Sequence, residues 1–376
     1  MNPLKKLSEL GQYYWLDNLT RDMMNSGELQ RRISEQDLGG ITSNPNTFGK
    51  AIADSDAYND DVSDYLSEGL APATILRKLM MADVQRACDL LAPVYEASAG
   101  FNGYVSIEVD PRLARHTDLT LDAARELHEG VDRPNCYVKI PGTPEGLPAI
   151  EEALYEGIKV NITLLFSVER YREVALAYQR AMRRRLDNQL PIDQMHSVAS
   201  FFLSRIDVLV DGLLDHRITP GDDVAQSDIG QMKGWTGLYE ARRAYAAFED
   251  LFNQTDWKKM QEEHGGNIQQ PLWASTGSKN PAYSDTLYVD SLVAKQTVTT
   301  MPESTIEAFA GQGTAKEDAI YDLVTGAADQ HRHRLAQLGI PFDYISQRLE
   351  DEGIQKFIDP QDQALKIIRE SEKVPA

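Results

Sequence analysis

The stretch CYVKIPGTPEGLPAIEEALYEGIKVNITLL, residues 136–165, decides the fold. Two short apolar runs, CYVKIP (136–141) and VNITLL (160–165), enclose a longer segment, which indicates a strand–helix–strand unit. The same alternation continues outward in both directions and gives eight candidate strands: Tyr13–Leu19, Gly40–Asn44, Tyr104–Asp110, Cys136–Ile140, Lys159–Leu165, Ser197–Leu203, Pro271–Thr276 and Thr297–Met301. Eight strands with helices between most of them predict an α/β fold, a closed (β/α)8 TIM barrel rather than an open sheet.

Two segments exceed a minimal barrel. One is an insertion at about 204–270, which contains a predicted helix over Leu238–Phe252. The other is a C-terminal extension at about 341–376, in which three residues are candidates for packing: Ile345, Leu349 and Phe357. Because no linker rich in Pro, Gly or Ser divides the chain, residues 1–376 are predicted to form a single domain.

The charge and the cysteines exclude several classes of protein. The chain carries 58 acidic and 38 basic residues, a net charge of −20, and this disfavours a nucleic-acid partner. The two cysteines, Cys88 and Cys136, have no CxxC partner, so we expect neither a disulfide framework nor a structural metal. No apolar run approaches the roughly 18 residues of a membrane span, and residues 1–15 do not resemble a secretory signal. We therefore predict a cytoplasmic protein without membrane contact.

Polar side chains recur at alternate positions in five of the candidate strands. Successive side chains of a strand point to opposite faces, and the outer face of a barrel strand packs under helices. In VSIEVD (105–110), Ser106, Glu108 and Asp110 share one face, and the valines and isoleucine take the other. The same parity predicts six inward polar residues: Asp17, Asn44, Glu108, Lys139, Asn161 and Thr163. One such residue is usually structural, but six on five strands indicate a functional interior.

A buried lysine among carboxylates and amides has a defined chemistry. Burial of a charge is costly unless the charge is paired, and a desolvated lysine can supply the neutral amine that attacks a ketone. The iminium that forms on loss of water is an electron sink, and carboxylates can transfer protons beside it. A pair of carboxylates alone would suggest a glycosidase, but glycoside hydrolysis needs neither the lysine nor the amides.

Six strings in the chain resemble the motifs of one enzyme family. They are WLDNLTR (15–21), GITSNPNTF (40–48), VSIEVDPRLA (105–114), VKIPGTPEGLPAI (138–150), NITLLFS (161–167) and WASTGSKNP (273–281). Together they resemble transaldolase motifs in transaldolase order, and they are closest to the longer bacterial branch of that family. VKIPGT followed by NITLLFS is highly specific, whereas GITSNP alone is weaker evidence.

The resemblance implies catalytic roles for four residues. Lys139 matches the lysine that forms the Schiff base with the substrate. Asp17 matches the aspartate that takes the proton from the C4 hydroxyl during carbon–carbon cleavage. Glu108 matches the glutamate that works through a water in iminium formation and hydrolysis, and Thr163 helps to hold that water.

The resemblance also implies binding residues. Asn44 and Asn161 resemble the amides that bind hydroxyls of the dihydroxyacetone unit. Ser200 and Arg205, in SFFLSR, match a substrate-contacting serine and a phosphate-binding arginine, and Ser275 matches a serine of the phosphate site.

One motif departs from the family pattern. The common form reads ASFRN, whereas this chain has ASTGSKN, two residues longer, in which Lys279 is the cation. We assign the phosphate role to Lys279, which would bind as a point charge without the bidentate fork of arginine. The alternative for Lys279 is a solvated loop lysine, and for Arg205 it is a surface ion pair with Asp207 or Asp211.

The implied reaction belongs to the non-oxidative pentose phosphate pathway. It transfers dihydroxyacetone reversibly from sedoheptulose 7-phosphate to glyceraldehyde 3-phosphate and gives erythrose 4-phosphate and fructose 6-phosphate. No metal or organic cofactor is expected. The expected partners are sugar phosphates, and the protein is expected to be a monomer or homodimer.

One rival function is that of a fructose-6-phosphate aldolase, which has a tyrosine where Phe202 stands. A second rival is a catalytically silent barrel that acts as a binding module.

Overall fold

The computed structural model of the protein describes residues 2–43, 45–218 and 223–371. Within these residues, eight parallel strands form a closed barrel in which each strand pairs with its neighbours in sequence and the last pairs with the first. The strands are β1 (Gln12–Leu16), β2 (Gly40–Ile41), β3 (Tyr104–Glu108), β4 (Cys136–Pro141), β5 (Val160–Leu165), β6 (Ser197–Phe202), β7 (Gln269–Ala274) and β8 (Thr297–Met301). The predicted (β/α)8 barrel is therefore confirmed.

Helices surround the barrel and cross one of its ends. They are α1 (Pro3–Glu9), α2 (Arg21–Asn25), α3 (Glu28–Gln36), α4 (Pro45–Asp54), α5 (Asn59–Ser67), α6 (Pro72–Ala97), α7 (Thr117–Val131), α8 (Gly146–Glu156), α9 (Val168–Asp187), α10 (Ser204–Asp215), α11 (Asp223–Met232), α12 (Thr236–Phe252), α13 (Thr255–His264), α14 (Leu287–Ser291), α15 (Glu303–Gln312), α16 (Thr325–Gln337) and α17 (Phe342–Ser371). None of these helices is long and apolar enough to cross a membrane, as judged over the residues that the structure describes.

The strands are buried on both faces, as expected when helices cover the outside and side chains fill the inside. All residues of β4, β5, β6 and β7 are buried. Aromatic rings fill part of the barrel interior: the ring centre of Tyr137 lies 4.1 Å from that of Tyr104 and 6.1 Å from that of Trp15, and the rings are stacked. Gly40 leaves room for this layer, because an added Cβ would lie 2.6 Å from the Trp15 ring. Because these three aromatic rings occupy part of the interior, the polar side chains lie toward the carboxyl ends of the strands.

The connections between strands are more elaborate than the sequence indicated. The segment between β6 and β7 contains α10, α11, α12 and α13, and α12 coincides with the helix predicted over Leu238–Phe252. The C-terminal extension forms α17, in which Ile345, Leu349 and Phe357 are all buried, as expected. A third enlarged connection, between β2 and β3, was not predicted and consists of α4, α5 and the long α6. Its helices α4 and α6 pack against α17.

Candidate active site

A cavity of about 750 Å³ opens at the carboxyl ends of the strands, the end where (β/α)8 enzymes bind their substrates. Much of its wall consists of residues that the sequence singled out. Those residues are Asp17, Lys139, Ser200, Phe202, Arg205, Ser275 and Lys279. Glu108, Asn161 and Thr163 are buried in the barrel interior rather than at the cavity surface.

Strand register brings Lys139 and Glu108 together. Glu108 of β3 is the direct partner of Lys139 of β4, and Lys139 is in turn the partner of Asn161 of β5. The Nζ atom of Lys139 lies 3.2 Å from Oε2 of Glu108, and both side chains are buried. The same ammonium donates to the carbonyl oxygen of Ser43 at 3.3 Å. The predicted inward lysine is therefore paired with an inward carboxylate.

The carboxyl group of Glu108 is placed to exchange protons near neutral pH. Burial raises its pKa from 4.5 to about 7, and the neighbouring ammonium of Lys139 opposes that rise. Within the described residues, Oε1 of Glu108 has no hydrogen-bond partner. A group with a pKa near the working pH is efficient both as an acid and as a base, so Glu108 can accept and return a proton beside the lysine.

Asp17 follows β1 directly and is oriented by a chain of hydroxyl groups. Thr42 donates a hydrogen bond to Oδ1 of Asp17 at 3.0 Å. The hydroxyl oxygens of Thr42 and Thr300 are 2.6 Å apart. Because a hydroxyl has one proton to donate, Thr300 donates to Thr42 while Thr42 donates to Asp17. These two hydrogen bonds hold one carboxylate oxygen of Asp17 at the cavity wall.

Asn161 is held on both sides of its amide. Ser200 donates to Oδ1 of Asn161 at 2.7 Å, and Nδ2 of Asn161 donates to the hydroxyl oxygen of Ser106 at 3.0 Å. Two residues further along β5, the hydroxyl of Thr163 is buried and has no hydrogen-bond partner among the described residues. A buried hydroxyl without a partner is unfavourable unless water or a ligand satisfies it.

Arg205 brings a positive charge to the cavity between two aromatic rings. It is the second residue of α10, and its guanidinium carbon lies 5.1 Å from the ring centre of Phe202 and 5.6 Å from that of Phe357. Burial lowers the pKa of Arg205, whereas the carboxylates of Asp17 and Glu108 raise it, and arginine remains charged in proteins. The alternative of an ion pair with Asp207 or Asp211 is wrong: among the described residues the charges that act on Arg205 are those of Asp17 and Glu108, and Asp207 and Asp211 accept hydrogen bonds from Tyr288 and Tyr283.

The loop after β7 is tied to α10. Ser275 has a left-handed backbone with φ 56°, and its hydroxyl lies 2.8 Å from that of Ser204. The amide of Ser204 donates to the carbonyl oxygen of Ser275 at 3.0 Å. Further along the loop, Tyr283 donates to Asp211 at 2.6 Å, and Tyr288 donates to Asp207 at 2.6 Å. These contacts hold Ser275 next to the helix that carries Arg205.

Two lysines stand at the rim of the cavity. Lys279, on the loop after β7, is exposed and lines the same cavity as Arg205. Lys50 of α4 is also exposed and lines the cavity, although no sequence motif selected it. Neither rim lysine is as enclosed as Arg205, so solvent screens their charges more strongly.

The structure thus brings together nearly all the residues selected from the sequence. Asn44 lies outside the described residues. Besides Lys50, three further residues of the site were missed. Thr42 shares its strand parity with Asn44 and could have been included on that basis. Thr300 on β8 and Phe357 on α17 reach the site through tertiary contacts, which no local sequence pattern predicts.

A (β/α)8 barrel with a buried Lys–Glu pair at the catalytic end of its strands defines a class of barrel enzyme, and comparison with known proteins identifies the family. The sequence model described as Transaldolase/Fructose-6-phosphate aldolase matches residues 14–368. The transaldolase of Thermobifida fusca (strain YX) is 43% identical over 360 residues, which cover 95% of each chain.

Two other relatives agree. The transaldolase of Mycobacterium tuberculosis (strain ATCC 25618 / H37Rv) is 43% identical over 95% of this chain and 94% of its own. Transaldolase 2 of Streptomyces avermitilis is 44% identical over 94% of this chain and 93% of its own. The chain therefore belongs to the transaldolase/fructose-6-phosphate aldolase family, as its motifs predicted, and it is an enzyme of that family.

Proposed function

We propose that the protein is a transaldolase that moves a dihydroxyacetone unit from a ketose phosphate to an aldose phosphate through a Schiff base on Lys139. The observation that carries this proposal is the 3.2 Å contact between Lys139 and Glu108 at a cavity that also holds Asp17 and Arg205. The names of the relatives support the same activity.

Capture of the donor begins with a proton transfer between neighbours. Lys139 must lose a proton to become a nucleophile, and Glu108, with a pKa of about 7, is the adjacent acceptor. The amine attacks the C2 carbonyl of the ketose, and protonation of the resulting hydroxyl allows it to leave as water. The product is a cationic iminium. The hydroxyl of Thr163, which has no hydrogen-bond partner in the part of the chain that the structure describes, is suited to hold the water that leaves and later returns.

Cleavage follows from the position of Asp17. Its carboxylate accepts the proton of the C4 hydroxyl, the C3–C4 bond breaks, and the bonding electrons move into the iminium to give a neutral enamine. The aldose phosphate departs as an aldehyde. The enamine then attacks the carbonyl carbon of an acceptor aldehyde, and Asp17 returns the proton to the oxygen of that carbonyl. Hydrolysis of the new iminium releases the product ketose and regenerates Lys139. The hydrogen bond from Thr42 keeps Asp17 oriented through both directions of the reaction.

The cations of the cavity account for phosphate binding by an acidic protein. A net charge of −20 repels anions at long range, so a phosphate needs local donors. We assign this role to Arg205, Ser275 and Lys279, which line the cavity together. Asn161 and Ser200, which are hydrogen-bonded to one another beside Lys139, are assigned to the hydroxyls of the dihydroxyacetone unit, with Asn44.

The composition supports the remaining assignments. We infer that the enzyme works in the cytoplasm as a monomer or homodimer and has no nucleic-acid partner. The strongly acidic charge supports the last point, and the free, buried state of Cys88 and Cys136 suits a reducing compartment. Sedimentation of the purified protein would decide between the two oligomeric states.

A fructose-6-phosphate aldolase is the second candidate, since the family model covers both activities. That reaction requires protonation of the enamine and release of free dihydroxyacetone. The side chain at the relevant position is Phe202, whose ring packs on Phe166 at 5.3 Å and on Arg205, and it has no hydroxyl to hold a proton-donating water. This observation favours transfer over release.

The deciding experiment is an assay with fructose 6-phosphate in the presence and absence of erythrose 4-phosphate. We expect glyceraldehyde 3-phosphate to accumulate catalytically when the acceptor is present, together with sedoheptulose 7-phosphate. Without the acceptor, release should stop near one equivalent per active site. Sustained formation of dihydroxyacetone without acceptor would support the aldolase instead, and a complete lack of turnover in both reactions would indicate a silent barrel.

A further inference from the structure

We propose that Phe357, on the C-terminal helix α17, is a positioning residue that orients the guanidinium of Arg205 and thereby determines the preference for phosphorylated substrates. This inference rests on the proposed function, because it assigns the phosphate of the substrate to Arg205. Phe357 is more than 150 residues from Arg205 in sequence and reaches the cavity from a helix outside the eight-stranded barrel.

The geometry places Phe357 against two of the cations of the site, Arg205 and Lys139. Its side chain is buried, with 3% of its surface exposed, and it lines the main cavity. The ring centre lies 5.6 Å from the guanidinium carbon of Arg205 and 5.3 Å from Nζ of Lys139. Phe202 lies 5.1 Å from the same guanidinium. Arg205 therefore has an aromatic contact from β6 and another from α17, both within the range of cation–π attraction.

Arg205 needs the two aromatic contacts because the carboxylates nearest to it belong to residues that are assigned catalytic roles. Asp17 and Glu108 are the negative charges that act on it, so a guanidinium that was free to turn would be drawn toward the two groups that are assigned the proton transfers. Two other acidic residues of α10, Asp207 and Asp211, accept hydrogen bonds from tyrosines. Nη1 of Arg205 is buried without a hydrogen-bond partner among the described residues, so donors of the fork remain for a ligand.

The packing of α17 fixes where the ring lies. On one side of Phe357, an added Cβ on Gly353 would lie 3.0 Å from Leu164, so the helix approaches the end of β5 closely. On the other side, an added Cβ on Gly49 of α4 would lie 2.9 Å from the carbonyl oxygen of Pro360. Close contacts flanking Phe357 leave little freedom for the helix to slide or rotate, and the ring is held over the two cations.

The test compares three variants and one control. Phe357→Leu keeps an apolar side chain but removes the aromatic face, and Phe357→Tyr restores it. The control is Phe342→Leu, because Phe342 is a buried phenylalanine of the same helix that also packs on an arginine, Arg332, at 4.6 Å, and it does not line the main cavity. Phe357→Met is the alternative if thermal melting shows that the leucine variant does not fold.

We expect Phe357→Leu to raise the KM for fructose 6-phosphate by about five- to tenfold, the scale of a desolvated cation–π contact, with little change in kcat. The kcat/KM for unphosphorylated fructose should stay within about twofold, since that donor does not use the phosphate contact. Phe357→Tyr and Phe342→Leu should behave like the wild type with both donors. An equal loss on both donors, or a KM for fructose 6-phosphate that does not change, would overturn the proposal.

Borohydride trapping separates failure of this inference from failure of the proposed function. If the wild type gives a reduced adduct on Lys139 with fructose 6-phosphate and Phe357→Leu leaves the donor preference unchanged, the role of Phe357 is wrong and the transaldolase mechanism stands. If the wild type itself gives no adduct on Lys139, the proposed function fails first.

Discussion

The proposed reacting cluster and the proposed phosphate region of the same cavity are built in different ways. Asp17, Glu108 and Lys139 lie on or directly after the barrel strands β1, β3 and β4, and they are held by strand register and by polar contacts of 3.0 Å and 3.2 Å. Arg205, Ser275 and Phe357 come from a helix, a loop and the C-terminal extension; Phe357 packs on Arg205, and the hydroxyl of Ser275 contacts that of Ser204, the residue before Arg205. A strand-borne side chain has one direction fixed by the pleat, whereas a loop or helix can be altered while the barrel is retained.

This difference explains where the sequence departs from its family. The strand motifs of the reacting cluster resemble the family pattern closely, and the departure, ASTGSKN, falls in the loop after β7. Contacts from Tyr283 and Tyr288 to α10 hold that loop even though it is two residues longer than the common motif. We therefore expect substitutions in the reacting cluster to stop chemistry and substitutions in the phosphate region to change substrate preference.

The largest effect is expected for Lys139→Met. Without the amine no Schiff base can form, and kcat should fall by at least about 10⁴-fold. Borohydride with fructose 6-phosphate should label the wild-type peptide that contains Lys139 and leave the variant unlabelled, as measured by peptide mass spectrometry. The matched control is Lys159→Met, because Lys159, just before β5, binds the carbonyl oxygen of Pro134 and the hydroxyl of Tyr95 instead. An adduct on Lys159 would contradict the assignment.

Asp17→Asn should divide the reaction at the cleavage step. The amide keeps the shape of the side chain but cannot take the C4 proton, so cleavage should slow by about 10²–10⁴ while iminium formation continues. The wild type should give mainly a three-carbon adduct on Lys139, and the variant should give the intact hexose phosphate. If the variant forms the three-carbon adduct at the wild-type rate, Glu108 becomes the candidate base. If it forms no adduct, Asp17 acts before cleavage.

Glu108→Gln should change how stability depends on pH. The pKa of Glu108 is about 7 in the folded protein and 4.5 in its ordinary environment, so the folded state keeps the proton to higher pH. Its contribution to stability is complete below about pH 4.5 and is lost as the pH rises toward 7, by up to about 3 kcal/mol. The free energy of unfolding of the wild type should therefore fall relative to that of Glu108→Gln over this interval, as measured by urea denaturation.

The control for this pH effect is Glu262→Gln, which changes an exposed glutamate of α13. Its free energy of unfolding should stay parallel to that of the wild type at every pH. A constant difference between Glu108→Gln and the wild type from pH 4.5 to 7 would contradict the raised pKa.

The phosphate region should show a graded loss. Arg205→Ala should weaken phosphorylated substrates by about 1.5–3 kcal/mol, the scale of charged hydrogen bonds. Lys279→Ala should cost below about 1 kcal/mol, because an exposed charge is screened. Both are measured as kcat/KM for fructose 6-phosphate against fructose, with the exposed lysine of α13 in Lys258→Ala as the control. A similar loss on both donors would argue against a phosphate role for either residue.

The smallest change is expected for Phe202→Tyr. A hydroxyl at this position could hold a water that protonates the enamine, so free dihydroxyacetone should increase relative to transfer, as measured by product analysis with limiting acceptor. Phe166→Tyr is the control, because Phe166 packs on the same ring but does not line the cavity. An unchanged product ratio in Phe202→Tyr would show that the missing hydroxyl does not protect the enamine.

The sequence by itself determined the barrel and the direction of its polar side chains. A strand has a period of two residues, and a barrel strand must be apolar outside, so the parity of VSIEVD and CYVKIP was enough to place Glu108 and Lys139 in one interior. The predicted strands match the observed ones to within a few residues at their ends, because turn residues and not the strand pattern fix those ends.

Tertiary structure decided which of these residues touch and what covers them. The 3.2 Å pairing of Lys139 with Glu108 depends on the register between β3 and β4, and the chain from Thr300 through Thr42 to Asp17 depends on closure of the barrel. The position of Phe357 depends on how α17 packs across α4, α6 and β5. The local sequence pattern determines the face of a strand on which a residue lies. Contacts between distant segments follow from the packing of the whole fold, and the periodicity of a single strand does not predict them.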